Sequence, residues 1–260
     1  MIATQTLLGE NEPAPFELIN AGGRSNLVLV CDHASNRVPA RLANLGLTEA
    51  QLNSHIGWDS GAAAVSRILS ACLDAPLLLS NYSRLVIDCN RWLIAADSIP
   101  QSSGGVLIPG NGVLSEGEGL VRRLTLFEPY QAEIAALLSN AAPQCVLLSI
   151  HSFTPSLFGV DRPWSIGVCY RKDQELARRW LAALRVNIKG KFGNNSAELV
   201  GDNEPYSIEE GCDYTIPVQG ESRGIPSIML EIRQDKIQDP AGVQLWSDII
   251  AEAWLSMQDQ

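Results

Sequence analysis

Asn26-Leu-Val-Leu-Val-Cys-Asp-His33 places five apolar residues in succession and closes them with a carboxylate and an imidazole. A short unbroken run of this kind reads as a strand buried on both faces, with its carboxyl end opening onto a site. The pattern recurs in CVLLSIHS (Cys145 to Ser152), SIGVCYR (Ser165 to Arg171) and PSIMLEIR (Pro226 to Arg233). It is also read in SRLVIDCNR, where Leu85, Val86 and Ile87 are followed by Asp88, Asn90 and Arg91. Helical patterns lie between these runs. Thr48 and Gln51 make a capping box, and Asp59 to Leu73 places Ala62, Val65, Ile68, Leu69 and Cys72 at helical spacing. Glu118 to Asn140 is helix-like around Pro129, and Asp173 to Val186 and Gly242 to Met257 are amphipathic, with Trp180 and Trp246 on or near their apolar faces. Strands alternating with helices predict an α/β fold, a mostly parallel mixed sheet with helices on both faces. No repeat or linker divides the chain, so a single domain over residues 1–260 is expected.

Composition narrows the function. With 46% hydrophobic residues in 260 the chain can bury a sizeable core. Nineteen Lys and Arg against 29 Asp and Glu give a formal charge of −10, which offers no basic surface for nucleic acid. The uncharged stretch from Ile134 to Val160 is interrupted by Asn140, Pro143, Gln144 and His151 and reads as helix end, turn and strand, so no membrane span is expected. The first fifteen residues carry Glu10 and Glu12 and no basic residue, unlike a secretory signal. The six cysteines form no C-x-x-C pair and read as small buried hydrophobes, and a cytoplasmic location is expected. The sequence sets no oligomeric state.

Ligands of open α/β sheets collect at the carboxyl ends of the strands. The runs deliver there Asp32 and His33, then Asp88, Asn90 and Arg91, then His151, then Glu231 and Arg233. Two of only three histidines therefore end a strand, and imidazole beside carboxylate is ligand chemistry suited to zinc. If both bind one ion, their rings must lie within about 8 Å of each other. Glu231 is a carboxylate in an apolar strand, open to two readings: a general base, or the ion-pair partner of Arg233 two residues on. Arg91 is either a solvated arginine or a fork for a carboxylate, and Arg84 has no clearer reading. The long loop from Trp92 to Gly119, with Gly104-Gly105, Pro109-Gly110 and Asn111-Gly112, is expected to flank the site.

LSIHSF around His151, VIDCNRW around Arg91 and MLEIRQD around Glu231 resemble, in chain order, the motifs of the zinc carboxypeptidase fold. At closer range CDHASNRVP (Cys31 to Pro39), HIGWDSGA (His55 to Ala62), YSRLVIDCNR (Tyr82 to Arg91) and GIPSIMLEIRQD (Gly224 to Asp235) resemble the N-formylglutamate amidohydrolase family. The resemblance implies a hydrolase of the zinc carboxypeptidase or phosphorylase-hydrolase type of fold. It implies one divalent metal, zinc first, on His33 and His151, with Glu231 activating water. It also implies that Asn90 and Arg91 receive an acidic end of a small anionic N-acyl amino acid, helped by Arg84 or Arg223. One position departs. The carboxypeptidases carry a glutamate ligand three residues after the first histidine, where this chain has the neutral Asn36. Asp59 is the substitute third ligand and Asn36 the weaker alternative. An N-cap before Ser60-Gly61-Ala62 is the structural alternative for Asp59, and a helix starting near His55 would put His55 and Asp59 on one side. Expected activities are cleavage of an N-formyl acidic amino acid or action on another acyl amino acid or peptide. A non-catalytic binding protein with a degraded metal site is the reading that Asn36 favours.

Overall fold

Apolar alternation decides which way each strand faces. In the computed structural model, which describes residues 6–258 without the side chains of 194, 195 and 197, Leu27, Leu29 and Cys31 turn to one core and Val28 and Val30 to another. Residues 1–5 and 259–260, the ends of the expected domain and the start of the segment tested for a signal, lie outside the described residues. The strands are β1 (Phe16–Ile19), β2 (Leu27–Cys31), β3 (Leu77–Ser80), β4 (Ser102–Ser103), β5 (Val106–Leu107) and β6 (Val146–Phe153). They continue with β7 (Ser156–Leu157), β8 (Val160–Asp161), β9 (Ile166–Cys169), β10 (Val200–Asp202) and β11 (Ser227–Arg233). Seven form one sheet in the order β1-β3-β2-β6-β11-β9-β10. All neighbours are parallel except β1 with β3 and β9 with β11, the mostly parallel mixed sheet that the runs predict.

The helices are α1 (Glu49–Leu52), α2 (Ala62–Leu73), α3 (Glu116–Arg122), α4 (Glu128–Asn140), α5 (Gln174–Phe192) and α6 (Pro240–Gln258). Helices α2, α5 and α6 cover one face, where Trp180 and Trp254 stack with ring centroids 5.7 Å apart. On the other face α4 contributes Tyr130, Ile134 and Leu138, one per turn. Each large side chain buried this way stabilises the fold by about 1.5–3 kcal/mol. Pro129 sits in the first turn of α4, and the wider π turn Arg123–Phe127 before it joins α3 to α4 without the bond that proline cannot donate. Among the described residues no helix is long and apolar enough to cross a membrane, and Ile134–Val160 divides into helix, turn and strand.

Three expectations need correction. Leu85, Val86 and Ile87 are not a strand: the strand is β3, and this segment turns, with Ser83 Oγ donating to Gly57 O and Val86 N donating to Ser83 O. Its apolarity fills a third cluster with Leu45, Leu126 and Phe127, not a place in the sheet. Cys72 and Cys212 are exposed, whereas the other four cysteines are buried as expected. No helix starts near His55, because α1 ends at Leu52 and α2 begins at Ala62.

This topology creates the place for a site. From β2 the chain goes to β3 on one side and then returns to β6 on the other, so the carboxyl ends of β2 and β6 diverge at a switch point. Two small hairpins stand at its rim. Gly104 and Gly105 (φ 55° and 80°) turn β4 into β5, and Phe158 and Gly159 (φ 50° and 81°) turn β7 into β8.

Candidate metal centre and active site

His33 lies just beyond β2 and His151 within β6, where it pairs in register with Glu231 of β11. The two imidazoles are buried, their ring centroids 4.9 Å apart, well inside the limit for sharing one ion. Asp59 reaches them from the α1–α2 connection, tethered by its peptide N–H to His33 O at 3.0 Å. Its side chain caps no helix, since Gly61 holds the N-cap position of α2. One ligand atom each from His33, Asp59 and His151 lie within 4.8 Å of one another, and this buried group could hold a metal ion.

The hydrogen bonding around the group tests that fit. His33 Nε2 meets Asp88 Oδ1 at 2.7 Å, and His151 Nε2 meets Asp32 Oδ2 at 3.1 Å. The Nδ1 atoms of both rings face Asp59 Oδ2, at 3.4 Å and 2.8 Å. A neutral imidazole has one N–H, so donation from Nε2 leaves each Nδ1 lone pair aimed at an anionic oxygen. Positive charge must lie between them, as protons or as one divalent cation, and carboxylates behind metal-bound histidines are the usual second layer of such sites. Asp32 is itself saturated: Tyr130 Oη, Thr215 Oγ1 and Ser149 Oγ donate to it at 3.0, 2.8 and 3.0 Å. Burial opposes charge on His151, but Asp32 and Asp59 outweigh it and hold the imidazole well above its usual range. Burial likewise opposes charge on Asp88, and Arg84 and His33 reverse the balance.

Glu231 behaves differently. It is 5% exposed, it lines the cavity, and its Oε2 is buried with no hydrogen-bond partner among the described residues. Burial, aided by Asp59 against the pull of His151, pushes its carboxyl up to about 7. Arg233 is not its partner, because that guanidinium pairs with Asp235 at 2.7 Å and donates to Arg162 O and Pro163 O.

The cavity at this site encloses about 530 Å³, and Ser103 and Gly104 of the long loop form part of its wall, as expected. Arg84 and Arg91 line it. Arg84 pairs with Asp88 at 2.8 Å and approaches Asp59 at 3.7 Å. Arg91 pairs through Nε with Asp97 at 2.9 Å and through Nη1 with Asp213 at 3.0 Å. Asn90 also lines the cavity, but its amide is engaged: Nδ2 donates to Asp213, and Oδ1 accepts from the peptide N–H groups of Tyr214 and Thr215. Arg223 is brought nowhere near; it is exposed and donates to Ala135 O and Ser139 Oγ on α4. Asn36 donates to Asn53 Oδ1 at 2.6 Å and is not part of the three-residue group. Sequence reasoning assigned no role to Asp32 and Asp88 and overlooked Thr154, Tyr206 and the neighbouring Arg162. The places of the first two directly after apolar runs were the only signal.

The family model of N-formylglutamate amidohydrolase matches residues 25–238. Among solved structures, a gene product from Agrobacterium tumefaciens is 31% identical, with a TM-score of 0.85 over 97% of this chain and 99% of that one. An N-formylglutamate amidohydrolase from Ralstonia eutropha is 18% identical, with a TM-score of 0.68 over 95% of this chain and 98% of that one, a likeness of fold. No curated protein matches the chain.

Proposed function

The chain belongs to the N-formylglutamate amidohydrolase family, enzymes of C–N amide hydrolysis, and from that membership we propose that it cleaves the amide of a small N-acyl acidic amino acid, N-formylglutamate first. The observation that carries this reading is the unpartnered Oε2 of Glu231 beside the His33, Asp59 and His151 group. Two imidazoles and one carboxylate suit zinc, which when bound supplies Lewis acidity toward water and the acyl carbonyl. Glu231 takes the proton from the attacking water and returns it to the leaving nitrogen. A carboxyl lifted toward neutrality is matched to both halves of that transfer. His33 and His151 are kept in orientation by Asp88 and Asp32. Arg84, tied to Asp59 and Asp88, contributes positive charge to the same wall.

Arg91 receives a substrate carboxylate. Its Nη2 has no protein partner among the described residues, while Asp97 and Asp213 fix Nε and Nη1. Asn90 holds the loop that carries Asp213. Because net charge works against an anionic substrate, attraction must come from such local cations. Arg91→Ala should raise KM for an acidic substrate by about 10- to 100-fold with a smaller change in kcat, since two acids are left facing the anion. Arg91→Lys should recover only part of the loss, and steady-state kinetics of both variants decide it.

Amine release from N-formyl, N-acetyl and N-succinyl amino acids, with metal analysis of the same preparation, tests the proposal. Turnover of an N-formyl acidic amino acid by metal-loaded protein is expected. Turnover confined to another acyl group would favour a different deacylase. Asp59 beside both histidines supports a complete three-residue group over the degraded, non-catalytic site that Asn36 favours.

A further inference from the structure

Arg84 and Arg91 line the cavity, Arg162 stands behind its Phe153, Thr154 and Tyr206 wall, and the three differ in their counter-charges. Arg84 faces Asp88 and Asp59, and Arg91 faces Asp97 and Asp213. Arg162 faces no carboxylate among the described residues. It is only 9% exposed, and its hydrogen bonds are to neutral oxygens, Tyr206 Oη at 2.8 Å and Thr154 Oγ1 at 3.5 Å, both from Nη1. Its guanidinium lies over the Tyr206 ring, 4.7 Å from the centroid, and 6.0 Å from that of Phe153. Phe153, Thr154 and Tyr206 all line the cavity. The arginine is fixed in place: its peptide N–H donates to Pro155 O at 2.8 Å, and its carbonyl accepts from Arg233 Nη1 at 3.0 Å. Its charge is felt in the cavity, where burial first, and then Arg84 and Arg162, hold His55 below the usual imidazole range.

A guanidinium removed from water without an anion is costly, and stacking on two rings offsets only part of that cost. A pre-positioned cation of this kind is suited to an anion brought by the ligand. We propose that Arg162, with Tyr206 in front of it, is the specificity site for the side-chain carboxylate of the substrate, while Arg91 takes the carboxylate common to all amino acids. The acceptor bond from Arg162 leaves the Tyr206 hydroxyl proton free to donate to the same anion. This inference rests on reading the cavity as a site for an N-acyl acidic amino acid, and it assigns the residues that read the acidic side chain.

The test compares three ligands on the full chain: N-formylglutamate, N-formylglutamine, which lacks only the side-chain charge, and the α-amide of N-formylglutamate. Dissociation constants are read by calorimetry in a Glu231→Gln background, in which turnover is slowed. N-formylglutamate should bind about 10- to 100-fold tighter than N-formylglutamine, and Arg162→Gln should bring that ratio close to one while leaving N-formylglutamine affinity unchanged. Arg162→Lys, which keeps the charge and loses the fork, should give an intermediate ratio, and it serves alone if Arg162→Gln does not fold. Equal weakening of all three ligands would make Arg162 a structural support and overturn the proposal. So would loss of discrimination against the α-amide only. Wild-type protein that hydrolyses N-formyl amino acids without preferring acidic ones would sink this inference and leave the hydrolase reading standing. Selective binding with no turnover would do the reverse.

Discussion

Glu231→Gln should lower kcat by about 10²–10⁴ with metal content retained and no loss of thermal stability. The amide has the shape of the carboxylate but cannot accept the proton, so only the transfer is removed. Stability should hold because no described residue pairs with Oε2 and Arg233 is occupied by Asp235. Breaking a buried ion pair would instead cost about 3–5 kcal/mol. Burial raises the folded carboxyl from 4.5 to about 7, so below pH 4.5 the group is protonated in both states and exerts no penalty. As pH rises from 4.5 to 7 the unfolded chain ionises more readily than the folded one, and the wild type loses stability. Glutamine removes that loss. In metal-free protein the melting temperature of Glu231→Gln should therefore equal that of the wild type near pH 4.5 and exceed it at pH 8. Melting curves at the two pH values, with one activity assay, check both halves; a fully active variant would remove Glu231 from the mechanism.

The runs ending at His33, His151 and Glu231 could be read because a parallel strand buried on both faces must be apolar throughout, and chemistry then gathers where it ends. The same signal misled at Leu85–Ile87. An apolar run reports burial, not strand geometry, and this one is buried under the loop from Trp92 in a cluster of its own. Strands β1 and β10 carry little signal: four half-buried residues at one edge and Val200-Gly201-Asp202 at the other. Asp59 was reached through a segment that resembles a family motif, yet its position depends on a hydrogen bond from its peptide N–H to His33 O, 26 residues away, that no local pattern encodes. Asp32 and Asp88 sat at segment ends in the sequence, but their partners, His151 and His33, are 119 and 55 residues distant. Arg162 gave no local signal at all. Its significance lies in having no carboxylate partner among the described residues, which only the folded surroundings reveal.

Asp59→Asn separates the metal from the fold. Wild-type protein should carry about one divalent ion per chain, zinc when that is supplied, and Asp59→Asn should lose it on dialysis together with activity. The amide leaves two imidazoles and a neutral oxygen, and its Nδ2–H groups can donate to the Nδ1 lone pairs that a metal needs. That same donation satisfies both rings without added positive charge, with Nε2 still donating to Asp88 and Asp32. The metal-free variant should therefore stay folded, melting below metal-free wild type only by the attraction to the imidazoles and the Ser152 N–H bond to Oδ2 that it gives up. Arg84 keeps its closer partner, Asp88 at 2.8 Å, and is not stranded when the charge at 59 is removed. Asp88→Asn and Asp32→Asn act one layer further out and should weaken metal binding only about 10- to 100-fold. Elemental analysis, melting temperature and turnover on these variants rank the two layers. Full metal content in Asp59→Asn would make this aspartate a structural brace between two histidines and would reopen the identity of the third ligand.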